Sequence, residues 1–194
     1  MNKVQSASLL VADFDLRLLH VVYGGMHGSW GPAMVAFSMA GSGWSLAALI
    51  PFMRSSRTRR WATWLTSAIV IQATIVWLIK RLVGRVRPWL AFGLSPPIGM
   101  PHDGSFPSGH AAGSFCVAAF LAVALPALRP DLGWRARLIA AVAAVVAGLV
   151  GLSRIYLGAH FPSDVLIGAL VGGLIGAIAG RMCASGCREH NGSG

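Results

Sequence analysis

The chain reads as an all-α integral membrane bundle, and three observations carry that reading. Of its 194 residues, 55% are hydrophobic and 11% charged, where a soluble domain carries about 25% charged residues. The mean hydropathy is +0.66. The apolar residues gather into runs of roughly twenty, the length that crosses a bilayer core, and arginines and lysines mark the ends of those runs. Five clear transmembrane helices are expected, plus an N-terminal helix that is either interfacial or a sixth span. The organisation expected is an N-terminal interfacial segment at 1–31, one transmembrane domain at 32–182 and a flexible tail at 183–194.

Residues 9–27 do not make a clean span. Asp13, Arg17 and His20 recur at i, i+4 and i+7, while Leu10, Phe14, Leu18 and Val21 fill the other side. That pattern is an amphipathic helix with an Asp13–Arg17 pair, suited to lying in the membrane interface. His20 and His27 read as interfacial polar residues. The N-terminus lacks the basic start, apolar run and small-residue cleavage site of a secretory signal.

The first clear span is Pro32–Met53, whose 22 residues cover about 33 Å as a helix. Gly41 and Gly43 are placed to bend it, and Arg54, Arg57, Arg59 and Arg60 follow at once. Trp61 and Trp64 mark an interface, and the second span runs from Trp61 to Val83 with Lys80 and Arg81 at its end. The third opens at Phe106–Pro107–Ser108–Gly109–His110 and runs to about Leu125. Arg129, Arg135 and Arg137 fill a short loop, and the fourth span is Trp134–Val150. The fifth runs from Asp164 to Gly180, and within it Gly168, Gly172, Gly176 and Gly180 recur every four residues. Such a stripe serves close helix packing.

Between the fourth and fifth spans lies Ser153–Arg154–Ile155–Tyr156–Leu157–Gly158–Ala159–His160–Phe161–Pro162–Ser163–Asp164, where most membrane chains carry only a turn. Pro162 suits a first helical turn, which puts His160 just ahead of the fifth span and Asp164 just inside it. A carboxylate so placed can bind one imidazole nitrogen and leave the other lone pair free. Arg154, always charged and fork-shaped, suits a phosphate beside that lone pair.

Two further clusters share this membrane face. Lys80–Arg81–Leu82–Val83–Gly84–Arg85–Val86–Arg87–Pro88 holds four basic residues in nine positions; alone it reads equally as an interfacial anchor. At the start of the third span, Pro107 suits the first turn. The amides of Ser108, Gly109 and His110 then point out of the helix end as an anion cup. His110 sets an ionisable group beside that cup. The loop 89–106 carries Trp89, His102 and Asp103, and the His102–His110 spacing is not that of a metal site.

The formal net charge of +10 does not point to nucleic acid, because the basic residues sit at span ends. Cys116, Cys183 and Cys187 make neither a disulfide framework nor a zinc site. After the N-terminal segment the polar face carries only Asp103 and Asp164 as acids, so no carboxylate cluster is available for a divalent metal, and no cofactor is called for. Nine basic residues lie on the opposite face and seven on this one. The positive-inside rule therefore makes the opposite face cytoplasmic and turns the polar cluster outward, in a multi-pass chain.

Lys80-x6-Arg87-Pro88, Pro107–Ser108–Gly109–His110 and Ser153–Arg154-x5-His160-x3-Asp164 together resemble the tripartite signature of the type-2 phosphatidic acid phosphatase superfamily, in its order and without a departure. The resemblance implies a lipid phosphatase of a bacterial-type inner membrane in which His160 is the nucleophile, forming a phosphohistidine, and Asp164 orients it. His110 would protonate the leaving oxygen, and Lys80, Arg87, Ser108, Gly109 and Arg154 would hold the phosphate. The expected partners are a lipid phosphate substrate and membrane lipids. Undecaprenyl pyrophosphate comes first among the substrates, with Arg81 and Arg85 available to a second phosphate; phosphatidylglycerophosphate, phosphatidic acid and lipid A phosphates offer the same reacting group. A lipid phosphotransferase would carry the same residues, and a headgroup carrier would need the cations but no nucleophile.

Overall fold

The computed structural model describes residues 3–24, 30–42, 49–56, 58–95 and 102–191, and every regular element among them is helical. In chain order these are α1 (Lys3–Leu19, continued by a π-helical turn at His20–Gly24), α2 (Gly31–Ala40), α3 (Ile50–Arg54) and α4 (Arg59–Val83). Then come α5 (Pro88–Ala91), α6 (Gly109–Leu128), α7 (Trp134–Tyr156) and α8 (Pro162–Asn191). Among the described residues, four stretches are long and apolar enough to cross a membrane: Arg59–Ala91, Gly109–Leu128, Trp134–Tyr156 and Pro162–Ser185.

Hydrocarbon is as apolar as leucine, so helices in it are joined by close packing rather than by the hydrophobic effect. α4 buries Ala62, Leu65, Ile69, Gln72 and Val76 at alternating helical spacings of three and four. Val70, Ile71, Trp77 and Leu78 point outward. α8 divides the same way: Leu166, Leu170, Leu174 and Ile178 are exposed, and the glycine stripe faces α6. A β-carbon at Gly172 or Gly176 would overlap the backbone of Ala112 or Cys116, so only glycine lets the two main chains come this close. Gly168 meets Ser108, Gly172 meets Ala112 and Gly176 meets Cys116; the numbers rise together, so the helices run parallel. Their N-termini therefore arrive at the same end of the bundle. That end is where the polar residues collect.

The structure departs from the sequence expectations in three places. Pro32–Met53 is not one helix: α2 stops at Ala40, and Gly41 donates back to Phe37 as a cap. Gly43, like His27, lies outside the described residues. The C-terminal segment expected to be a loose tail from 183 is helical through Asn191, and Cys183 packs in the core with Phe120, Cys116 and Leu65. The N-terminal helix forms with its Asp13–Arg17 pair at 2.9 Å, but its inward face is Asp15, Leu19 and Val22. Leu10, Phe14 and Val21 are exposed.

Candidate active site

α4 delivers Lys80 in its last turn and then ends at Gly84, whose φ of 58° is left-handed and whose amide caps Lys80. The break turns the next residues inward, and Arg87 is 2% exposed. Its Nε donates to the Asp103 carbonyl at 2.9 Å, Nη1 to the Ala159 carbonyl at 3.0 Å and Nη2 to Asp103 Oδ1 at 2.6 Å. Lys80 Nζ reaches Asp103 Oδ2 at 3.0 Å and also donates to the Gly104 carbonyl. One carboxylate thus spans two cations, as two phosphate oxygens would. Burial pushes the Asp103 carboxyl upward, but Lys80 and Arg87 outweigh it and hold the group below the usual carboxylate range.

α7 ends with Arg154 in its last turn, 3% exposed and donating through Nη1 to Ser38 Oγ on α2. The chain then turns, and His160 lies just ahead of Pro162 at the start of α8, as the sequence requires. Its ring is 2% exposed. Arg87 Nη1 lies 3.2 Å from His160 Nε2. A guanidinium can only donate, so Nε2 is the accepting nitrogen and the ring proton sits on Nδ1. Burial, helped by Arg87 and Arg154 and opposed by Asp164, pulls His160 down to about 4. The imidazole is neutral at neutral pH, with its Nε2 lone pair directed at the cations.

Asp164 approaches Nδ1 at 3.7 Å, longer than a hydrogen bond. Its oxygens are otherwise filled: Oδ1 takes Arg85 Nη1 at 2.7 Å, and Oδ2 takes the Phe161 amide at 2.8 Å and the Ser105 hydroxyl. Among the described residues Nδ1 has no hydrogen-bond partner. The orienting pair is adjacent but open.

The helix-end cup is smaller than expected. Ser108 is the cap of α6, so Pro107 precedes the helix rather than occupying its first turn, and Ser108 Oγ accepts from Ala111. Its own amide does not point outward: it donates to the Asp164 carbonyl at 2.9 Å. The amides of Gly109 and His110 make no hydrogen bond among the described residues and are the free part of the cup. His110, half-buried, lines a cavity of about 500 Å³ between α4, α6 and α7. The cavity is walled by Leu65, Ile69, Val117, Val146 and Gln72.

The structure thus gathers Lys80, Arg87, Arg154, Ser108, Gly109, His110, His160 and Asp164 at one end of the bundle. It does not give Arg81 or Arg85 to a second phosphate. Arg81 lies 5.1 Å from the Trp77 ring, and Arg85 is held by two carboxylates. Four neighbours were not assigned from the sequence: Asp15, Ser38, Asp103 and Ser105. Asp103 carried a readable signal, as an isolated acid between two cationic motifs. Asp15 carried another, an acid on the same helical stripe as Leu19 and Val22.

A family sequence model described as the PAP2 superfamily matches residues 61–184. The chain is 40% identical over 91 residues to phosphatidylglycerophosphatase B of Bacillus subtilis (strain 168), which covers 47% of this chain and 42% of that protein. It is 35% identical over 129 residues to decaprenylphosphoryl-5-phosphoribose phosphatase of Mycobacterium tuberculosis, covering 65% of this chain and 63% of that one. The chain therefore spans less than two thirds of the length of either relative. A solved transmembrane PAP2-type phosphatidylglycerolphosphate phosphatase from Bacillus subtilis superposes with a TM-score of 0.70 at 25% identity, over 98% of this chain and 88% of that one.

Proposed function

The chain belongs to the PAP2 superfamily, and we propose that it hydrolyses a lipid-linked phosphate through a phosphohistidine on His160, without a metal. The observation that carries this is Arg87 Nη1 at 3.2 Å from His160 Nε2: a neutral imidazole nitrogen faces the cations that would draw in a phosphate. In the proposed reaction Nε2 attacks phosphorus and the bond to the leaving oxygen breaks. His110 gives that oxygen its proton, then takes one from the water that cleaves the phosphorus–nitrogen bond. Lys80, Arg87 and Arg154, with the amides of Gly109 and His110, balance the charge on the phosphoryl oxygens as it shifts. Ser108 caps the helix that carries those amides. Asp164 steadies the imidazolium once a side-chain rotation closes the 3.7 Å gap to Nδ1. Metal independence is supported by the donor set, since Asp15, Asp103 and Asp164 are each bound to a cation.

The cavity beside His110 supports a lipid substrate: it is mostly apolar, reaches the proposed acid His110 and runs on among the spans. A polyprenyl diphosphate such as undecaprenyl pyrophosphate is the first reading. Its support is the three-cation pocket; Arg85, committed to Asp15 and Asp164, adds nothing for a second phosphate. Phosphatidylglycerophosphate is the second reading, favoured by the names of the Bacillus relatives. The site faces outward from an inner membrane, on the argument that arginine-rich segments crowd the opposite end.

The test is phosphate release by the purified protein from undecaprenyl pyrophosphate, phosphatidylglycerophosphate, phosphatidic acid and a soluble ester, with chelator present and His160→Ala as the blank. The reading expects a lipid to lead by kcat/KM and the blank to be inactive. A His160→Ala protein that keeps a substantial rate overturns the mechanism, and a soluble ester that matches every lipid overturns the substrate class. Transfer of phosphate to an added lipid without release would identify a phosphotransferase, and binding without turnover a carrier.

A further inference from the structure

Asp15 lies on α1, far in sequence from every residue of the proposed mechanism, and its side chain is 1% exposed. A buried carboxylate is costly unless its oxygens are filled, and here they are filled entirely from the active end. Oδ1 accepts from the Ser163 amide at 2.8 Å. Oδ2 accepts from the Ser163 hydroxyl at 2.6 Å and from Arg85 Nη2 at 2.6 Å. The other arm of the same guanidinium, Nη1, donates to Asp164 Oδ1 at 2.7 Å and to the Ser163 hydroxyl at 2.8 Å. The guanidinium itself lies 4.0 Å from the Phe161 ring. Arg85 is held in turn at its carbonyl, which accepts from the Ser105 amide at 2.7 Å.

We propose that Asp15 and Arg85 are positioning residues, which hold the carboxylate of Asp164 and the first turn of α8 in register with His160. Among the described residues, every hydrogen bond to the Asp15 carboxylate comes from Arg85 or from Ser163, the second residue of α8. A carboxylate there also meets the positive end of the helix, doing from another segment what a capping residue does locally. Arg85 sets the rotation of Asp164: with Oδ1 pinned, Oδ2 is left facing the His160 ring. A lysine cannot do this, because one ammonium lacks the planar fork that reaches two carboxylates at once. The N-terminal helix is thereby part of the active end rather than a separate anchor.

This inference rests on the assignment of His160 and Asp164 above, and the experiment separates the two. The full chain is purified in detergent, and kcat and KM for phosphatidic acid in mixed micelles are measured for the wild type and for Asp15→Asn, Arg85→Lys, their double variant, Ser163→Ala and His160→Ala. The melting temperature of each is recorded. Asp15→Asn and Arg85→Lys are expected to lower kcat by about tenfold to a hundredfold while leaving KM near its wild-type value. The double variant should be no worse than the worse single, as for groups that act as one unit. Ser163→Ala keeps both charges and removes only the hydroxyl between them, so it tests the idea if an Asp15 variant does not fold; it should lower kcat several-fold. Unchanged kcat in Ser163→Ala and Arg85→Lys, multiplicative losses in the double variant, or a rise in KM alone would overturn the proposal. An active His160→Ala would instead overturn the mechanism on which it stands.

Discussion

Along one side of α6 the main chain touches the main chain of α8, with Gly168, Gly172 and Gly176 set against Ser108, Ala112 and Cys116. Along its other side lies a cavity of about 500 Å³, shared with α4 and α7. The polar groups follow the same division. On the sealed side Asp164 takes four donors' worth of attention from Arg85, Ser105, Phe161 and, at a longer distance, His160. On the open side Gln72 is 4% exposed and its Oε1 has no partner among the described residues. Buried polar groups in proteins are nearly always paired. A filled network holds a geometry, and an unfilled acceptor in a cavity is suited to a ligand. The difference separates what must stay fixed, the phosphate and its nucleophile, from what must enter and leave.

The largest effect should come from closing the sealed side. Gly172→Ala drives a β-carbon into the Ala112 backbone, which has no flexible end to move aside. The expected loss is at least about 3 kcal/mol, with activity lost alongside, because the two helix N-termini separate. Thermal unfolding in detergent would measure it. A Gly172→Ala protein as stable as the wild type would mean that the seam is not close-packed.

The sealed side also resists protonation. His160 is pulled from 6.5 to about 4, with Arg87 and Arg154 facing its ring and Asp164 near Nδ1. Between those values the unfolded chain binds a proton that the folded chain refuses, so stability falls as pH drops from 6.5 towards 4. The loss is up to about 1.4 kcal/mol per pH unit. The melting temperature of the wild type should fall over that window more steeply than that of His160→Gln. Parallel curves would mean that His160 titrates normally and that the site is wetter than its burial implies.

The long spans were legible because apolar length and arginine punctuation are local properties of the chain. So was the packing stripe of α8, because a four-residue glycine period needs no knowledge of its partner; that the partner is α6 came only from the structure. Pro162 placed His160 and Asp164 correctly about the start of α8 for the same reason. At Gly41 the sequence marked a bend but not the end of the helix, because an apolar run of sufficient length looks alike whether continuous or capped midway. Nor were the partners of Arg85, whose charge looked available until Asp15 arrived from another helix. Asp15 itself was missed because Asp13 and Arg17, two residues away on either side, supplied a complete interfacial pattern. The Ser108 amide was expected in the anion cup and is taken by the Asp164 carbonyl, a contact across 56 residues that no local rule contains.

On the open side, Gln72→Met should reveal the cost of an unfilled acceptor. Methionine nearly matches the shape and removes the orphaned amide, so the free protein should gain about 1 kcal/mol. If the amide serves the leaving group, kcat/KM should fall about tenfold for lipids with a polar group next to the phosphoester and hold for those without. A stabilised variant with unaltered preference would make Gln72 a packing defect rather than a contact.

The smallest effect sharpens the contrast most, because it repeats the glycine-to-alanine change on the opposite side of α6. Gly113 lies on α6 one turn beyond Gly109 and lines the cavity. A β-carbon there would sit 3.6 Å from Gln72 Nε2, an ordinary contact with a side chain that can yield. Alanine in a helix interior is favoured over glycine by about 0.5–1 kcal/mol, partly because the unfolded chain loses freedom. Gly113→Ala should therefore raise the melting temperature slightly where Gly172→Ala lowers it sharply. The added methyl also narrows the cavity beside His110, so KM for a lipid should rise modestly while kcat for a short soluble ester stays as it was. If Gly113→Ala destabilises as Gly172→Ala does, the two sides of α6 are packed alike, and the space beside His110 is not kept for a substrate.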